Sequence, residues 1–126
     1  MILTAGGSSY STYADGTGTQ YRDLTWVTID NPDYAPGEER PALQGVAVFR
    51  RLEGAWYGNE RVYIVSTSGG PAGQGQVFEY DPAAERMRVL FASPDAAVLN
   101  NPDNICVTPH GGITFAIIGP WRRGSL

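Results

Sequence analysis

From Gly45 onward the chain alternates short apolar runs with glycine- and proline-bearing turns, and no segment carries a helical period of useful length. The runs are Gly45–Phe49, Arg61–Thr67 with Val62, Tyr63, Ile64 and Val65 in succession, Gln76–Tyr80, Arg86–Ala92, Asn104–Thr108 and Ile113–Ile118. Gly58-Asn59, Gly69-Gly70, Asp81-Pro82 and Pro109 with Gly111-Gly112 punctuate them. In Arg86–Ala92 the arginines alternate with Met87, Val89 and Phe91, which sets one face inward and one outward. A further short strand is expected at Trp26–Ile29, and Pro94–Leu99 has room for one helical turn. Residues 1–24, rich in Gly, Ser, Thr and Tyr, read as an irregular lead-in. Asn31–Arg40 reads as a surface loop, because Pro32, Pro36 and Gly37 interrupt any ladder. Such a pattern specifies an all-β chain.

An internal repeat narrows the architecture. Glu53-Gly54-Ala55-Trp56 is followed by a Gly58-Asn59 turn and the strand Val62–Val65. Asp103-Asn104-Ile105-Cys106 is followed by a Gly111-Gly112 turn and the strand Ile113–Ile118. The two acids stand fifty positions apart, inside the roughly 40–50 residue period of propeller blades. A blade is a four-stranded antiparallel sheet, so the chain holds material for about two blades. The expected fold is a partial β-propeller, with open strand edges through which copies could self-associate.

Composition excludes several functions. Thirteen acids face nine arginines and no lysine, for a net charge of −4. Nucleic acid is not the expected partner, because phosphate backbones need a basic footprint. No apolar run reaches the roughly 18 residues of a membrane span, and Met1-Ile2-Leu3-Thr4-Ala5 lacks the basic and apolar regions of a signal peptide. Cys106 is the only cysteine, so neither an intrachain disulfide nor a cysteine-rich zinc site can form; it reads as a packed thiol on a strand. His110, the only histidine, sits in a turn, and no Gly-x-Ser-x-Gly elbow accompanies it.

Two phrases can carry chemistry. In Arg51-Leu52-Glu53-Gly54-Ala55-Trp56-Tyr57-Gly58, Glu53 leads a short strand and Gly54 permits close chain approach. In Asn100-Asn101-Pro102-Asp103-Asn104-Ile105, Asp103 and Asn104 offer hard oxygens immediately before a strand. Calcium takes six to eight such oxygens. Glu53 can equally be a surface residue beside a turn, and Asp103-Asn104 ordinary turn formers. Ser66-Thr67-Ser68-Gly69-Gly70 and Gly73-Gln74-Gly75-Gln76 lack the lysine of a phosphate-binding loop and read as a hairpin connection. Trp26, Trp56 and Tyr57 read as packing groups between blades. The residues name no catalytic nucleophile, acid or base.

Together these phrases resemble the PhoX-type alkaline phosphatase family. The match rests on Arg51-Leu52-Glu53-Gly54-Ala55-Trp56, where the family favours Arg-Pro-Glu-Gly, on Val62–Gly70, on Gly75-Gln76-Val77-Phe78-Glu79-Tyr80-Asp81-Pro82 and on Asn101-Pro102-Asp103-Asn104-Ile105, with a weaker likeness over Trp26–Asp33. It runs from about residue 21 to residue 112. The resemblance implies a six-bladed propeller with calcium at the channel end, iron in characterised members, hydrolysis of small phosphomonoesters, and export to the periplasm or cell exterior. It implies metal-binding roles for Glu53, Asp103 and Asn104, and a substrate contact for Asn104. On this basis residues 1–24 are the lead-in, 25–112 the propeller blades and 113–126 a divergent tail. The tail holds no acid where the family continues into a Glu-Asp-Gly phrase. It reads as truncated or frameshifted, and the chain alone is expected to be inactive or nearly so. Two other readings fit the same phrases: a lactonase propeller of the gluconolactonase and regucalcin-like type, and a non-catalytic fragment that binds a protein partner.

Overall fold

The computed structural model describes residues 2–5, 20–29, 33, 35, 47 and 49–117. Among these it contains eight strands and no helix: β1 (Ile2–Ala5), β2 (Arg22–Val27), β3 (Leu52–Gly58), β4 (Arg61–Ser66), β5 (Gln76–Asp81), β6 (Arg86–Ala92), β7 (Pro102–Val107) and β8 (Ile113–Ile117). Six form one sheet in the order β1-β2-β6-β5-β4-β3, and β7 pairs with β8 alone. All the pairings are antiparallel. The expected all-β class is what forms, and β3-β4-β5-β6 is a four-stranded meander. Strand β1 and the start of β2 fall inside the stretch read as an irregular lead-in. The expected run Gly45–Phe49 lies largely outside the described residues. Ala47 and Phe49, which are described, pack on the core without joining a strand.

Local chemistry explains the turns. Gly58 pairs with Arg61, leaving Asn59-Glu60 as a two-residue loop with φ of 52° and 57°. That is the twist-matched turn of tight hairpins, and Asn tolerates it well. Asp81 Oδ1 accepts from the backbone N–H of Ala83 and Ala84, which folds the Pro82–Glu85 turn. The single helical turn expected near Pro94–Leu99 is present: Asp95 O accepts from Val98 and Leu99, and Asp95 Oδ1 caps Ala97 and Val98.

Strand β5 is buried along its whole length, because both sheet faces are covered. On one face Leu24, Phe78, Tyr80, Met87 and Val89 cluster, with Phe49, Val62 and Ile64 packed against them. On the other, Tyr63, Val65 and Val77 receive Ile105 from β7, with Val107, Ile113 and Phe115 around it. Burying side chains such as Val77 and Phe78 contributes about 1.5–3 kcal/mol each. A bulge between Val77 and Phe78 in the β5–β6 ladder pairs Phe78 with Val89 and Val77 with Phe91. The extra residue breaks the expected alternation. Leu90 turns to the second cluster and Phe91 is left exposed. Trp26, Trp56 and Tyr57, expected as packing groups, are exposed among the described residues. Trp56 and Tyr57 lie on β3, the edge of the sheet, whereas Trp26 meets Tyr80 edge-on and donates Nε1–H to its hydroxyl.

Beyond the β7–β8 hairpin an ionic network closes the second face. Glu79 and Asp81 are buried and paired: Arg88 with Glu79 at 2.8 Å, Arg61 and Arg86 with Asp81 at 3.3 and 3.2 Å. The Tyr21 ring lies against the Arg86 and Arg88 guanidiniums, and its hydroxyl donates to Glu79. Burial by itself would raise the Asp81 pKa. The Ala84 N–H, Arg61 and Arg86 outweigh it and hold the carboxyl below the usual range. Arg61 is held charged more firmly than usual by its hydrogen bond with Tyr21, and Arg88 by its bond with Glu79.

Candidate functional site

The repeat seen in the sequence is a repeat of geometry. Arg51 and Asn101, two residues before Glu53 and Asp103, both adopt left-handed backbone, with φ of 47° and 48°. Immediately after each, the hairpin ladder is irregular: between Leu52 and Ala55 in β3–β4, and between Pro102 and Asn104 in β7–β8. The left-handed conformation costs a non-glycine residue roughly 1–2 kcal/mol. Such residues and bulges concentrate where a chain aims particular side chains.

The two corners lie close together. A Cβ on Gly54 would sit 2.6 Å from Asn104 Oδ1, 2.7 Å from Asn104 Cα and 3.0 Å from Ile105 N, and one on Gly58 would meet Val107 at 2.8 Å. Strands β3 and β7 therefore run side by side in the same direction. The expectation that Gly54 serves close chain approach holds. At the far end Asn59 Nδ2 donates to Gly111 O at 3.4 Å, so the two hairpin turns also meet.

The β4–β5 connection, residues 67–75, holds both corners. Thr67 N–H donates to Arg51 O at 2.9 Å, and Ser66 Oγ donates to Arg50 O. Gln74 O accepts from Asn101 N–H at 2.8 Å. Gly75, at φ 128°, leaves room for the fully buried Pro102, whose Cγ would stand 2.8 Å from a Cβ there. The glycine-rich phrase is thus a hairpin connection, as expected from its lack of lysine, and it is also a clamp.

Between the corners lies a polar cavity of about 270 Å³ lined by Arg51, Thr67, Asn101 and Asp103. Arg51 Nη2 stands 3.9 Å from Glu53 Oε1, and both side chains remain exposed. Asn104 lines a different space, a groove with Trp56, Ile105, Cys106, Thr114, Phe115 and Ala116. Its Oδ1 accepts the Ile105 N–H at 2.8 Å. Consecutive strand residues point to opposite sides, so Asp103 and Asn104 do not converge on one cavity. Among the described residues no three His, Cys, Asp or Glu side chains gather as a metal site. The donors that are present are hard oxygens, the type calcium selects, and they would fill only part of its shell of six to eight. Cys106 is half-buried beside Thr114 Oγ1 at 2.9 Å, and His110 is exposed in its turn. No helix among the described residues is long and apolar enough to cross a membrane.

Sequence reading missed Arg51, Thr67 and Asn101 as cavity residues. The signal for two of them was present: each stands two positions ahead of a repeat acid. Thr67 had no such signal, because a hairpin tightens it against Arg51 from sixteen residues away.

The fold and cavity define an all-β protein with a polar, arginine- and aspartate-lined pocket where two stacked hairpins begin. The family described as alkaline phosphatase PhoX matches residues 3–117, beyond the stretch over which the phrases were recognised. The chain belongs to this family of metal-dependent phosphatases, whose substrates are small phosphomonoesters. No curated protein and no solved structure gives a significant match.

Proposed function

We propose that the chain contributes one blade and the inner hairpin of the next to a β-propeller that hydrolyses phosphomonoesters with calcium, and that the Arg51–Asp103 cavity is its share of the site. The observation that carries this reading is the pair of matching corners. Left-handed Arg51 and Asn101 sit fifty residues apart, each just ahead of an irregular ladder, and the strands they lead into run side by side. Successive blades would place their inner strands in that relation.

In this reading Arg51 binds phosphoryl oxygens, for which a planar guanidinium is suited. Glu53 and Asp103 would supply carboxylate oxygens to a bound calcium, with iron the second metal of this reading. A bound metal would polarise the phosphoryl group and offset its developing charge. Asn104 stays a proposed ligand and substrate contact only through the Trp56 groove; its clear part is to seat β7 beneath Gly54. The cavity's guanidinium favours a phosphoryl anion over the neutral lactone of the alternative reading.

The test is titration of the purified chain with inorganic phosphate, with and without calcium, by calorimetry. Calcium-dependent binding is expected, weakened about tenfold or more in Arg51→Gln, as loss of a charge-assisted hydrogen bond implies. Glu53→Gln should weaken the calcium dependence. Phosphate binding indifferent to calcium and to Arg51 would refute the proposal.

A further inference from the structure

Two buried side-chain atoms among the described residues have no hydrogen-bond partner: Thr67 Oγ1 and Gln76 Oε1. Thr67 opens the β4–β5 connection and Gln76 follows it. Thr67 is only 3% exposed, yet it lines the polar cavity with Arg51, Asn101 and Asp103. A buried hydroxyl left without a partner is costly and uncommon, so each instance calls for a physical reason. Thr67 lacks the usual one. Its backbone N–H is committed to Arg51 O, which fixes where the side chain stands, while its hydroxyl answers nothing in the protein.

We infer that Thr67 is a ligand-binding residue of this cavity, its hydroxyl donating to an oxygen of the phosphoryl group that Arg51 attracts. The inference rests on the proposed phosphate-binding role of the cavity and adds a neutral donor to it. The two groups divide the work. Arg51 is exposed and draws the anion in by charge. Thr67 is buried at the base of the strand and reads its position, since a hydroxyl bond is short-ranged and directional. The main-chain bond from Thr67 to Arg51 couples them, so the strained Arg51 corner and the hydroxyl keep one spacing. A threonine suits this position because its β-branch restricts χ1.

The experiment compares phosphate titrations, in the presence of calcium, of the unsubstituted chain, Thr67→Val, Thr67→Ala and Thr67→Ser, with a thermal melt of each. Thr67→Val keeps the shape and removes the hydroxyl. Phosphate affinity is expected to fall about tenfold in Thr67→Val and Thr67→Ala and to persist in Thr67→Ser. The melting temperature of Thr67→Val should not fall, because an unpartnered hydroxyl contributes no bond to the folded state. Should Thr67→Val fail to fold, Thr67→Ala carries the same expectation. Equal phosphate affinity in the unsubstituted chain and the hydroxyl-free variants overturns the assignment of Thr67 and leaves the cavity reading standing. Absence of phosphate binding by the unsubstituted chain overturns both.

Discussion

Replacing Gly54 with alanine tests the contact that aligns the two corners. The added Cβ would stand 2.7 Å from Asn104 Cα and 3.0 Å from Ile105 N, both backbone atoms. A side chain could swing aside; backbone on a paired strand cannot, so β3 and β7 must separate. Overpacking of this kind costs about 1–3 kcal/mol. At roughly 4 °C per kcal/mol for a chain of this size, the melting temperature should drop by about 4–12 °C. On the proposed calcium site, separation would also move Glu53 relative to Asp103, so any rise in melting temperature that calcium gives the unsubstituted chain should shrink. The assay is a far-ultraviolet circular dichroism melt with and without calcium. Gly73→Ala is the control. No atom lies within 4 Å of its Cβ position, but its φ is 66°, so it should cost only the roughly 1–2 kcal/mol of left-handed strain and leave the calcium response intact. A Gly54→Ala chain that melts like the unsubstituted one and responds equally to calcium would refute the close-approach reasoning.

Stability should fall in acid through Asp81. Its folded pKa lies below the unfolded value of about 3.9, so its contribution is full above that pH and lost as pH falls through the folded pKa. Urea unfolding of Asp81→Asn between pH 2 and pH 7 should show a flatter acid limb on a lower neutral plateau; an unchanged acid limb would show that Asp81 is not its source. Glu60→Gly should stabilise the chain by about 1 kcal/mol, since Glu60 holds φ 57° in the β3–β4 turn where glycine is preferred. A lower urea midpoint for that variant would contradict the turn assignment.

Local pattern was enough for much of the fold. Strands β4, β5, β6, β7 and β8 follow from short apolar runs between turn residues, and the fifty-residue repeat from two acids in matching phrases. These features survive because alternation and turn chemistry act between residues close along the chain. Other features depend on what packs against what. Strand β1 gains its order from pairing Ile2–Ala5 with Leu24–Val27, about twenty residues away. Phe91 was placed inward by alternation and turned outward by a bulge that only the β5 partner creates. The cavity is tertiary in the same sense. Glu53 and Asp103 were legible as residue types, but Arg51, Thr67 and Asn101 meet only because the β4–β5 connection bonds to both corners. The sequence by itself determined the all-β class, the repeat and the oxygen-rich phrases, since each is written in neighbouring residues. The tertiary structure decided which of those residues face one cavity, since bulges, left-handed corners and the contact beneath Gly54 are set by partners distant in the chain.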